Sequence, residues 1–384
     1  MKESIIIRNF GPIKDIEIED IRPLTFFIGE SGSGKSTVLK TVVLFRWIYK
    51  MINIRSYLKH ANISQSPFKF NFKDYLKNNG FTNYVKDNTE IIYRKGNNKI
   101  VYDGALDVSI TVPEEELSLE KMCFIADKRI LIPDILASKG KKNKIPMSFF
   151  LEETYNDFNI ASEFIKTLDI NYLNVRYASK ETNSGTKYYI ESLDEQESYT
   201  INLEDSSSGT QTIVPLSIII EYFSKYYDFS SRFNKIIFKY MSESDNLKDF
   251  RSDLNIGDIP YKNIHIHIEE PELSLYPESQ KNLLNFIINR CFLTNSKDYQ
   301  MSLMMATHSP YIINHLNLLI MAGQKEKMVE NAFLNFADVN VFEIVGGYLN
   351  DLKREGNFFI DTRVLSNPIA DTYKEYDNLL KEKE

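Results

Sequence analysis

Gly29-Glu30-Ser31-Gly32-Ser33-Gly34-Lys35-Ser36-Thr37 fits the pattern G-x-x-x-x-G-K-[ST] at every fixed position. Glycines allow the backbone to wrap so tightly that successive N–H groups point inward at one anion. A helix beginning at Lys35 would turn its positive N-terminus on the same anion. In this pattern Lys35 reaches the β- and γ-phosphates of a nucleotide, and the Ser36 hydroxyl binds Mg²⁺. The pattern requires a strand before it and a helix after it. The apolar run Leu24–Ile28 and the helical pattern from Lys35 to about Met51 supply both. A flexible glycine-serine turn is the competing reading.

A second group lies at Ile264-His265-Ile266-His267-Ile268-Glu269-Glu270-Pro271, a hydrophobic strand pattern ending in two acids. A strand tip of this kind can carry carboxylates to a metal and to an attacking water. Glu269 stands where phosphate-loop enzymes hold magnesium, usually with Asp, and Glu270 is the candidate general base. His265, His267 and Glu269 alternate and so share one strand face. That spacing suits either a transition metal or a buried, hydrogen-bonded histidine pair. Ser207-Ser208-Gly209-Thr210-Gln211 precedes an apolar helical run, Ile213–Tyr222, and reads by itself as a helix cap. Thr307-His308-Ser309-Pro310 follows the strand pattern Ser302–Ala306, where His308 could hydrogen-bond a γ-phosphate or serve as a structural histidine.

The elements around these groups alternate. Ser4–Arg8 and Ile13–Ile18 read as strands joined at Gly11-Pro12. Glu90–Arg94 and Lys99–Tyr102 form a hairpin pattern, as do Lys187–Ile190 and Tyr199–Leu203; Met122–Ala126 is a further strand. Residues from about 52 to 88 read as helical and polar, Ser138–Lys144 as a loop after which helical pattern returns, and Ile369, Tyr373, Tyr376 and Leu380 predict a C-terminal helix that packs on the body. Strands separated by helices over the last half point to a mostly parallel sheet with covered faces. The strand ending at Ile268 is expected beside the strand ending at Ile28.

Composition narrows the partners. With 43% hydrophobic and 26% charged residues, the chain has an ordinary globular balance. No stretch approaches the roughly 18 apolar residues of a membrane span, and MKESIIIRNF lacks a signal-peptide core. The expectation is a cytoplasmic protein with no membrane partner. Cys123 and Cys291 suggest neither a disulfide framework nor a zinc cluster. A net charge of -7 argues against a surface that is basic throughout, though a local basic groove for DNA stays open. Lys139–Lys144 and the cations around 86–99 are its candidates.

The order of phosphate loop, serine-glycine signature, strand with two acids and strand-end histidine resembles that of ABC ATPases. The resemblance is to the soluble branch with SMC-type chromosome proteins and bacterial anti-phage ATPases. IEEPELSLYP, ATHSPYIINHLN and IIIRNFGPIKDIEI look similar to the AAA family ATPases of OLD-type and Septu systems. The resemblance implies an α/β fold: a P-loop ABC-type head with a mixed central sheet and a helical/β insertion lobe. Residues 1–51 and 206–384 would form a discontinuous ATPase core, with 52–205 as the lobe carrying part of the ATPase sheet. It further implies ATP hydrolysis with Mg²⁺ in a homodimer, with higher assemblies open. Residues 29–37 would bind one subunit's nucleotide, and the partner's Ser208 and Gly209 would cap it. Glu272–Leu275 would cross the interface, His308 would sense the γ-phosphate, and Lys35, Glu270 and His308 would carry catalysis.

Two departures accompany the resemblance. Thr210 replaces the usual second glycine of the signature, and no convincing glutamine loop is visible. Gln65 has an unsuitable setting, leaving Arg129 as a candidate for that place. The function expected is a nucleotide-driven switch or sensor in an anti-phage complex with a separate nuclease or toxin. The alternative is an SMC-like DNA-binding ATPase in DNA maintenance or repair. A transporter subunit fits less well, given the long interval before the signature and the THSP switch.

Overall fold

Leu24–Ile28 is buried at every position. A strand with no wet side needs neighbours on both edges and cover on both faces. The computed structural model supplies them; it describes residues 1–61, 72–138, 146–183, 185–196, 198–242, 259–295, 298–354, 356 and 358–381. Gln65 and the basic segment Lys139–Lys144 lie outside the described residues.

The opening hairpin is β1 (Glu3–Phe10) and β2 (Ile13–Ile18). Next come β3 (Leu24–Ile28), the glycine loop and α1 (Lys35–His60). After α2 (Phe72–Asn78) a second hairpin joins β4 (Glu90–Lys95) to β5 (Asn98–Asp103), with β6 (Ala105–Asp107) alongside. The chain continues through β7 (Ser118–Ile125), α3 (Ile132–Ala137) and α4 (Phe149–Phe164). A separate four-stranded antiparallel sheet holds β8 (Thr167–Ile170), β9 (Val175–Thr182), β10 (Gly185–Ser192) and β11 (Thr200–Asn202). There follow α5 (Ser208–Lys225), α6 (Phe229–Ser242), β12 (Tyr261–Glu269) and α7 (Pro277–Ile288). Last come β13 (Gln300–Ala306), α8 (Pro310–Gln324), β14 (Val339–Val345), β15 (Tyr348–Asp351) and α9 (Arg363–Lys381).

The main sheet has 11 strands in the order β6-β5-β4-β1-β2-β15-β14-β3-β13-β12-β7. Its β14-β3-β13-β12-β7 portion is parallel throughout. Parallel strands with one direction put all their C-terminal ends on one edge, where ligands of open α/β sheets bind. The mixed α/β sheet expected from the motifs is therefore present. The expected adjacency of β3 and β12 is not: β13 lies between them, paired with each. Leu303–Ala306 is itself buried on all sides and takes a partner on either edge.

Three local readings also change. The start of the stretch read as polar helix is a buried continuation of α1 to His60: Ile52, Ile54, Tyr57 and Leu58 are buried, and the Asn53 and Ser56 side chains bond carbonyls one turn back. β8 and β9 occupy a stretch read mostly as helix; alternate Val175, Tyr177 and Ser179 face inward, too short a period-two signal to stand out. α9 meets the core through Leu365, but Tyr373, Tyr376 and Leu380 of its expected packing face are 68%, 60% and 52% exposed. An amphipathic pattern marks a helix but does not say which surface covers it.

Candidate functional site

The glycine loop leaves β3 and enters α1 with Gly29, Gly32 and Gly34 at φ of 145°, 79° and 111°. At Gly29 a Cβ would stand 2.5 Å from the Ile344 carbonyl oxygen of β14, so glycine lets the loop lie against the neighbouring strand. Gly34 caps α1 without a side-chain bond, and the first turn carries no acid. The N–H groups there remain available to an anion. Ser33 Oγ is buried with no partner. Lys35 Nζ donates to the Gly29 and Glu30 carbonyls at 2.8 Å each, bridging the loop. Burial holds the Lys35 ammonium below its ordinary value, against the pull of the Glu270 and Glu272 carboxylates. Ser36 is exposed and Thr37 buried. Free N–H groups, an unpartnered hydroxyl and a lysine satisfied only by carbonyls fit a polyphosphate chain.

The two acids have different settings. Glu269 is buried, and its Oε1 lies 2.9 Å from Lys40 Nζ. Lys40 is one helical turn beyond Ser36, so Glu269 reaches the same face of α1 as the Ser36 hydroxyl. Glu270 sits in the left-handed region at φ 46°, with its N–H bonded to the Ala306 carbonyl at 2.8 Å. Its half-exposed carboxylate stands 3.8 Å from His308 Nε2. Glu272 accepts from Thr307 Oγ1 at 2.8 Å and from the His308 N–H at 2.6 Å. Lys35, Glu269, Glu270 and His308 thus gather along one sheet edge.

The signature lies against the loop after β12. Ser207, not Ser208, caps α5 by accepting from the Thr210 N–H, and its hydroxyl pairs with Thr210 Oγ1 at 2.9 Å. Thr210, in place of a glycine, therefore completes the cap and leaves Ser208 exposed. A Cβ on Gly209 would lie 3.0 Å from the Ser274 carbonyl oxygen, and Thr212 Oγ1 bonds the Leu273 carbonyl at 3.1 Å.

Arg129 does not take a nucleotide-facing glutamine's place. It is fully buried and donates to five carbonyls: Ala126 at 3.1 Å, Thr212 at 3.3 Å, Glu269 at 2.8 Å, Glu270 at 2.6 Å and Pro271 at 3.5 Å. A planar guanidinium with five N–H groups can bridge three chain segments this way. Burial lowers it to about 10, so it stays charged at neutral pH. Sequence reasoning missed Lys40 and the anchoring role of Glu272; the spacing of Lys40 from Ser36 was the available signal for the first.

His265 and His267 belong to a buried polar network. His265 spans Ser302 Oγ (2.6 Å) and Glu120 Oε2 (2.7 Å), and His267 spans Arg46 Nη1 (2.9 Å) and the Cys123 carbonyl (3.1 Å). Arg46 pairs with Glu3, and Lys95 with Glu120. Among the described residues no three His, Cys, Asp or Glu side chains converge on a metal position. Burial, with Arg46 and Lys95 nearby, pushes His265 down to about 4. Burial pushes Glu3 up, but Arg46 outweighs it and holds the carboxyl at about 2. The unfolded chain takes these protons near 6.5 and 4.5, before the folded one does. Stability therefore falls with pH from about 6.5 downward, by roughly 1.4 kcal/mol per unit for each titrating group. Denaturant midpoints should hold above pH 7 and drop between pH 6.5 and 4. Equal midpoints at pH 7 and pH 5 would contradict a neutral, buried His265.

A family model described as "AAA domain, putative AbiEii toxin, Type IV TA system" matches residues 24–314, well over half of the chain. The chain belongs to this family. It is a P-loop ATPase domain, in agreement with the motif order. The match takes in the glycine loop, the signature, both acids and His308. Among solved structures this AAA domain is similar to an SMC head bound to the C-terminal winged-helix domain of ScpA. The two share 13% identity over 92% of this chain and 98% of the other, with a TM-score of 0.36. The recombination mediator RecF gives 10% identity, 91% and 98% coverage and a TM-score of 0.34. A dimeric ATP-binding cassette holding ADP and phosphate gives 10%, 90% and 96%, with 0.29. No curated protein matches the sequence. Among the described residues no helix is long and apolar enough to cross a membrane.

Proposed function

We propose that this AAA domain binds ATP with Mg²⁺ along residues 29–37, hydrolyses it, and works as a switch made of two copies of the chain. The observation that carries the reading is the single sheet edge holding Lys35, Glu269, Glu270 and His308. Lys35 exchanges two carbonyls for the β- and γ-phosphates, and backbone N–H groups of the loop hold the remaining oxygens. Ser36 and Glu269 hold Mg²⁺, which when bound neutralises charge on the phosphates. Glu270 orients and deprotonates water, and His308 bonds the γ-phosphate.

Ser208 and Gly209 cap the nucleotide of the partner copy, and a two-fold dimer repeats that contact at both sites. Loop 272–275 joins the two tasks within one chain. Glu272 holds the His308 segment, the Leu273 carbonyl accepts from Thr212 just after the signature, and the Ser274 carbonyl lies close against Gly209. The state of one subunit's own phosphate sensor thereby reaches the signature that serves the partner. We assign the dimer to a cytoplasmic anti-phage defence complex whose effector, a nuclease or toxin, is a separate chain. The motif resemblance and the toxin system in the family description support that assignment.

Mixing two inactive variants tests the shared site. Ser208→Arg puts a bulky cation where the partner's phosphate docks, and Glu270→Gln removes the base. In a mixed dimer one site carries both lesions and the other neither. Recovery of about a quarter to a half of the parent turnover is expected, following the fraction of intact sites that symmetry allows. No recovery, with subunit exchange demonstrated by energy transfer between labelled chains, sinks the shared site.

A further inference from the structure

We infer that Lys40 is a resident cation at the metal end of the site, competing with the divalent ion for Glu269 so that the ion enters with nucleotide rather than alone. The inference rests on the reading of Glu269 as a metal-holding carboxylate. Lys40 Nζ lies 2.9 Å from Glu269 Oε1, with side-chain exposures of 23% and 5%. A carboxylate so buried is costly to leave without an opposing charge. Lys40 supplies that charge from within the chain, on the helix face that also presents Ser36.

The ammonium is also held in place. It lies 5.7 Å from the centre of the Phe124 ring and 5.2 Å from that of Phe150, where the ring faces attract a cation. These rings belong to β7 and α4, so Lys40 is clamped from outside the glycine loop. A metal ion approaching Glu269 alone meets a carboxylate already neutralised and a positive charge beside it. An ion arriving with a triphosphate brings its own negative charge and shifts the balance. Lys40, whose side chain is 23% exposed, keeps a route to solvent and can then swing its ammonium outward, off Glu269 and the two rings.

The test uses Mn²⁺ alone as the probe, with free ion read by electron paramagnetic resonance on the full chain without nucleotide. Lys40→Met keeps the stem and removes the charge; it should bind Mn²⁺ at least tenfold more tightly than the parent. Lys40→Arg should behave as the parent does. Lys40→Gln keeps a hydrogen bond to Glu269, and should show the same gain if the methionine variant does not fold. A folded neutral variant with no gain overturns the inference. Adding Glu269→Gln to the neutral variant should erase the gain. A gain that survives Glu269→Gln means that the ion is held elsewhere, and the reading of Glu269 fails instead.

Discussion

Glu270→Gln should leave ATP binding near the parent value and slow hydrolysis by about 10²- to 10³-fold, the usual contribution of a positioned base. The side chain keeps its shape, and the strained backbone at φ 46° is held by the Ala306 carbonyl and by Arg129, not by the carboxylate. Lys35→Ala should fail earlier. It removes a charge-assisted contact worth roughly 3 kcal/mol, so affinity for ATP should drop about 100-fold. Equilibrium binding of a fluorescent ATP analogue and phosphate release, measured on both variants, separate the two lesions. Equal loss of binding in both would show that Glu270 is not the catalytic acid. On the proposed defence role, expression of either variant in place of the parent should abolish protection against phage, and full protection with Lys35→Ala would remove the nucleotide switch from that role.

Arg129→Met should be the most destabilising of the substitutions considered. The new side chain fills similar volume but donates nothing; the Ala126 carbonyl keeps the residue-129 N–H, while those of Thr212, Glu269, Glu270 and Pro271 lose the guanidinium in a fully buried position. A loss of about 3–5 kcal/mol is expected, seen as a melting temperature lower by roughly 4–6 °C. Hydrolysis should fall further than the unfolded fraction explains, because the Glu269 and Glu270 carbonyls lose their common anchor to α5. A lysine side chain reaches fewer acceptors than a planar fork does, so Arg129→Lys should recover only part of the loss. A melting temperature within about 2 °C of the parent for Arg129→Met would show that the cluster is not a strut.

Contiguity decided what could be read before the fold was known. The glycine loop, β12 with its acids and the β13 histidine are each written in a short unbroken run of residues, and each has a residue-type requirement that follows from its chemistry. Arg129 shows the opposite case. Its acceptors come from residues 126, 212 and 269–271, and no local pattern connects them. The placement of β13 between β3 and β12 was equally invisible, since apolar strands of similar length exchange places in a sheet without changing their own patterns. β14 carries no motif at all, yet Ile344 is the surface against which Gly29 closes. Thr210 departs from the signature in sequence alone; its hydroxyl pairs with that of Ser207.

The position of β3 also sets the order in which the molecule can be made. Its two neighbours, β13 and β14, begin at Gln300 and Val339, about 270 and 310 residues further along the chain. Closing such distant pairs is slow, and here it must also wait for synthesis. At about 5–20 residues per second a ribosome needs roughly 15–55 s between Ile28 and the start of β13. Through that interval the glycine loop has emerged but lacks the strands that hold its exit and its acids. A nascent chain therefore carries the phosphate-binding motif without a competent site, and nucleotide can engage only chains extended through β14. On the proposed two-copy switch, ATP-driven pairing would be confined in this way to chains that have already placed β13 and β14 beside β3.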